Sequence, residues 1–82
     1  MNTRRQLAEA EQVVRQQIRD RWLDAGVTMI DPASTWIDAA VTIGRDTVLY
    51  PDVTLEGTTA IGEDCVLRSY TRLTRLHRRQ WR

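Results

Sequence analysis

The sequence predicts a mainly β chain: an N-terminal amphipathic α-helix followed by about two coils of a left-handed parallel β-helix built from hexapeptide repeats. Three observations carry this expectation. Every sixth residue from Ile37 is a branched aliphatic, giving Ile37, Ile43, Leu49, Leu55, Ile61, Leu67 and Leu73. Two places before each stands a small or β-branched residue: Thr35, Val41, Thr47, Val53, Thr59, Cys65 and Thr71. Ahead of that register, Leu7, Ala10, Val14, Ile18 and Trp22 recur at intervals of three and four, the spacing that puts side chains on one helical face.

The helix is expected over residues 3–25. Thr3 stands three residues before Gln6, as in a capping box, and Gly26 suits the left-handed position after a last helical turn. Its apolar stripe needs a partner surface. A coiled coil is the competing reading, disfavoured because the stripe includes Ala10 and runs for only about three heptads. Residues 1–26 are thus read as an arm helix and 27–34 as a connecting loop, where Pro32 turns Asp31 away from the α region.

Residues 35–73 are read as β-helix coils. A six-residue period fits neither 3.6 nor 2; it fits a unit of one short strand and one turn, three units closing a three-sided coil. The aliphatic fills the interior, and the residue two places earlier also points inward near a corner. Gly44-Arg45-Asp46, Pro51-Asp52 and Gly62-Glu63-Asp64 supply turns, glycine relieving backbone strain and aspartate bonding its own backbone. Right-handed crossovers are the rule for parallel strands; the left hand is inferred from likeness to other six-residue, three-sided solenoids.

Seven units make little more than two coils, whereas repeat folds are stabilised by stacking neighbours and by capped ends. At 82 residues one small core is marginal without added support. The single cysteine forms no intrachain disulfide and no Cys/His cluster suggests zinc, so self-association is expected, as a trimer with prisms side by side. No apolar run approaches a membrane span and the N-terminus lacks a signal-peptide core; a cytoplasmic protein without membrane contact is expected.

Residues 74–82 form a basic tail. Residues 1–67 hold six arginines and all eleven acids, whereas 68–82 hold six arginines and no acid. Arginines interleaved with Tyr70, His77 and Trp81 could meet phosphate backbones. The simpler reading is an arginine content set by genomic composition, so nucleic acid is not the expected partner. Trp36 and Tyr50 are expected at coil corners or against the helix rather than stacked on a ligand. Cys65, at an inward position, is expected as a buried, unreactive thiol. Asp31, Asp38, Asp46, Asp52, Glu56, Glu63 and Asp64 are expected as solvated turn or outward residues rather than acid/base pairs.

Taken in order, QLAEAE, AGVTMIDPASTWID and VTIGRDTVLYPDVTLEGTTAIGEDCVL closely resemble the middle of the bacterial bifunctional enzymes that are both N-acetylglucosamine-1-phosphate uridyltransferase and glucosamine-1-phosphate N-acetyltransferase. The resemblance covers residues 2 to about 67. It implies a fold in which a Rossmann-type nucleotidyltransferase domain is joined by an arm helix to a trimeric left-handed β-helix. It also implies magnesium and acetyl-CoA for the full-length enzyme, and no cofactor for this chain alone. Asn2 matches the family's asparagine that helps hold magnesium and is the one candidate metal residue, although an asparagine at a helix start is more often a cap. The acetyltransferase residues lie in later coils, so no catalytic residue is assigned, and His77 falls outside the matched stretch.

After Leu67 the family continues with Gly-Pro, where this chain has Arg68-Ser69. A product of a split or frameshifted gene, or an assembly fragment, is therefore expected. Three functions follow: an inactive piece of the bifunctional enzyme of UDP-N-acetylglucosamine and cell-wall synthesis; a non-catalytic trimerisation module that co-assembles with a full-length homologue; or an arginine-tailed nucleic-acid-binding protein.

Overall fold

In the computed structural model, residues 3–75 are described; Met1, Asn2 and 76–82, with His77 and Trp81, lie outside them. Helix α1 covers Thr3–Asp24. It stops where Gly26 turns to φ +98°. There the amide of Gly26 donates to Leu23 O at 3.2 Å and that of Val27 to Trp22 O at 3.0 Å, the paired bonds of a Schellman stop.

Eight short strands follow among the described residues: β1 Thr28–Met29, β2 Trp36–Ile37, β3 Thr42–Ile43, β4 Val48–Leu49, β5 Thr54–Gly57, β6 Ala60–Ile61, β7 Val66–Leu67 and β8 Arg72–Arg75. All pair in parallel, and the chain visits three sheets in rotation: β1-β4-β7, β2-β5-β8 and β3-β6. Ile37 lies beside Leu55 and Leu55 beside Leu73, Ile43 beside Ile61, and Leu49 beside Leu67. The six-residue register is thereby converted into columns of like residues stacked eighteen apart.

The core is made of those columns. Ile37, Val41, Ile43, Leu49, Val53 and Leu55 are buried, as are Thr35, Thr47 and Thr59. Thr47 escapes the cost of a buried hydroxyl by donating to Gly62 O at 2.7 Å and accepting from the amide of Cys65 at 3.2 Å. The turns share one device. Asp46, Asp52, Asp64 and Tyr70, each three residues after an inward aliphatic, adopt φ between +58° and +67°. Aspartate tolerates that region, whereas tyrosine is an uncommon occupant.

Three expectations are corrected. The stretch 27–34, read as a connecting loop, carries β1, which pairs with β4, and a short 3-10 turn over Pro32–Ser34. Val27 and Met29 belong to the buried core. Second, the helical stripe is only half used. Ile18 and Trp22 pack on the core, but Leu7 and Val14 are 70% and 50% exposed. The cause is length: a 22-residue helix runs for about 33 Å, whereas three stacked strands span only about 10 Å. Third, Cys65 is half-buried rather than buried. It sits in the last described layer, where Ile61, Leu67, Thr71 and Leu73 are likewise half-buried, because among the described residues their columns have a neighbour on one side only.

Candidate functional site: the outer face of the β2-β5-β8 sheet

Polar chemistry among the described residues gathers where α1 meets the outer face of the β2-β5-β8 sheet. Strand periodicity turns Ile37 and Leu55 inward, so their neighbours Trp36, Asp38 and Glu56 face outward. Arg15, on α1, lays its guanidinium over the Trp36 ring, 4.4 Å from the centroid. The Trp36 indole N–H donates to Asp38 Oδ1 at 2.7 Å, and Asp38 Oδ2 accepts the amide of Gly57 at 2.9 Å. One layer on, Glu56 accepts from Thr74 Oγ1 at 2.7 Å and from Arg72 through Nε at 3.0 Å and Nη2 at 3.3 Å.

Asp38 and Glu56 are thus corrected from solvated outward residues to bridging groups. Asp46, Asp52, Glu63 and Asp64 are exposed, in or beside the turns as expected. Trp36 packs against the helix, and Tyr50 lies under Arg68 at 5.2 Å. Of the arginines thought able to meet phosphate, Arg68 is thereby stacked and Arg72 paired. Asn2, the candidate magnesium residue, lies outside the described residues. Among those described, no group of three or more His, Cys, Asp or Glu is placed to hold a metal ion, and no helix is long and apolar enough to cross a membrane. Cys65 Sγ donates to Glu63 O at 3.5 Å, with no base bonded to it among the described residues to make it a nucleophile.

The hydrogen bonds from Thr74 and then Arg72 hold the Glu56 carboxyl below the usual carboxylate range, outweighing its partial desolvation and the neighbouring Asp38 charge. A depressed folded-state value stabilises the fold at neutral pH, and that contribution disappears as pH falls through it. Glu56→Gln should therefore lower the urea midpoint at pH 7, with the gap from the parent closing at an acid pH below the usual carboxylate range, once Glu56 is protonated in the folded chain as well. An equal gap at both pH values would show that charge is not the cause.

This face can join layers and anchor a helix; it has neither a nucleophile–base pair nor a phosphate cradle among the described residues. No family model matches the chain. Among curated proteins it is 48% identical over 73 residues to the bifunctional protein GlmU of Alkaliphilus metalliredigens, covering 89% of this chain and 16% of that protein. It is 48% identical over 77 residues to that of Geobacillus thermodenitrificans, covering 94% and 17%, and 54% identical over 67 residues to that of Geobacillus sp. WCH70, covering 82% and 15%. The chain spans about a sixth of the length of these relatives. Over the stretch that it covers, the chain belongs to the bifunctional GlmU family.

Proposed function

We propose that the chain supplies the arm helix and the first coils of the left-handed parallel β-helix of the enzyme that acetylates glucosamine-1-phosphate from acetyl-CoA and uridylylates the product to UDP-N-acetylglucosamine in the cytoplasm. Its part is architectural, and by itself it is inactive. The observation that carries this reading is the rotation of parallel strands through three sheets, directly after a helix, in a sequence about half identical to GlmU proteins. Magnesium and acetyl-CoA belong, in this reading, to the full-length enzyme. Purified chain should give no acetyl transfer to glucosamine-1-phosphate and no uridylyl transfer, and turnover above a no-protein control would overturn the assignment.

A second reading, a trimerisation module that also co-assembles with a full-length homologue, is favoured by the outer face of the β1-β4-β7 sheet. Ile30 and Val66 are 52% and 54% exposed there, with half-buried Val48 and Tyr50 between them. Bare apolar surface of this kind marks interaction sites, and a stack of so few layers gains most from lateral burial. Light scattering should give three times the chain mass; a monomer that still melts cooperatively would refute it.

A further inference from the structure

The helix is attached to the strands by an unusual set of contacts. Its docked face is formed by Arg15, Ile18, Arg19 and Trp22, all half-buried, spaced to lie on one side of the helix. Only two of these are apolar. Arg15 Nε, Arg19 Nε and Trp22 Nε1 are buried and find no hydrogen-bond partner among the described residues, so packing the helix down leaves these donors unmatched there and works against docking. One chain of specific contacts works for it: Arg15 over Trp36, Trp36 N–H to Asp38, and Asp38 to the amide of Gly57. This chain crosses from the helix through β2 to β5, and both carboxylate oxygens of Asp38 are used in it. Toward the N-terminus of α1 the stripe residues Leu7 and Val14 stay exposed and add no comparable hold.

We infer that Arg15, Trp36 and Asp38 form a joint that fixes the direction in which α1 leaves the strand unit, and that without it the helix swings about the Gly26 stop. The joint acts on helix direction and leaves the coil intact, because the inward columns do not include any of its three residues. This inference is independent of the enzymatic reading above, since it concerns only contacts within the chain.

Pulsed electron paramagnetic resonance tests it on the full chain. Nitroxide labels are placed at Glu9→Cys on the helix and Thr42→Cys on β3, both exposed, in a Cys65→Ser background. The parent should give one narrow distance population. Trp36→Leu and Asp38→Ala should each lose it for a broad distribution, while the amides of Val48 and Tyr50, which donate to Cys65 O and Leu67 O, keep their hydrogen-exchange protection. Arg15→Met, which alters no strand residue, should broaden it likewise and decides the matter if either strand variant fails to fold. A narrow distance retained in Arg15→Met, or a broad one already in the parent, would overturn the joint.

Discussion

Gly44→Ala is expected to destabilise the fold by about 3 kcal/mol, near the upper end for over-packing, whereas Gly62→Ala should change it by less than about 1 kcal/mol. The two glycines occupy the same place in successive layers, one residue after Ile43 and Ile61, which pair. A Cβ at Gly44 would fall 2.5 Å from both the amide nitrogen of Glu63 and the carbonyl carbon of Gly62, and 2.7 Å from Gly62 O. Those are backbone atoms of the next layer, so no rotamer change makes room. The Gly44 amide also donates to Ile61 O at 2.8 Å, a bond that separation of the layers would break. At Gly62 the nearest atom among the described residues is Cys65 Sγ at 4.0 Å, ordinary contact. Gly44 is therefore required by the approach of two backbones rather than by its own dihedral angles. Urea midpoints of the two variants measure the difference, and equal midpoints would show that the layers can part at that corner at little cost.

The same layer stacking decides how much could be read from the residues alone. The columns were legible because inward positions repeat every six residues and tolerate only aliphatic or small β-branched side chains. Val27 and Met29 obey the same chemistry but lie twenty residues before Thr47 and Leu49 rather than eighteen. The insertion at the Pro32–Ser34 turn breaks the period and hides β1. Cys65 shows the converse: its register was right, but burial depends on a second neighbour in the column, which periodicity does not count. The docked face of α1 was misread for a different reason. Amphipathicity ranks side chains by polarity, whereas Arg15 and Arg19 enter the interface through their stems, with the Arg15 guanidinium on an aromatic ring, as long cationic side chains can. The bridging roles of Asp38 and Glu56 were not legible either. Each bonds to residues sixteen to nineteen places away, and which turn acid finds such a partner is decided only once the layers are stacked.

Leu55→Ala should cost about 3–4 kcal/mol, and Leu73→Ala only about 1 kcal/mol, although the two leucines are neighbours in one column. Leu55 is 0% exposed, held between Ile37 on one side and Leu73 on the other, so its truncation leaves a cavity bounded on both sides by strands that cannot collapse without breaking their ladders. Leu73 is half-buried and its truncation opens toward solvent, removing transfer free energy without a full cavity term. The contrast separates two accounts of how so few layers hold together. If stability resides in column packing, the cost must track the number of stacked neighbours, as the difference between these two variants would measure by chemical denaturation. If instead the strand ladder and turn contacts dominate, the two substitutions should cost about the same, since each leaves the backbone bonds of its strand untouched. A similar logic extends to Leu49, also 0% exposed and flanked by Met29 and Leu67: it owes one of those neighbours to β1, so the strand hidden by the broken period is what places a second leucine column fully in the core.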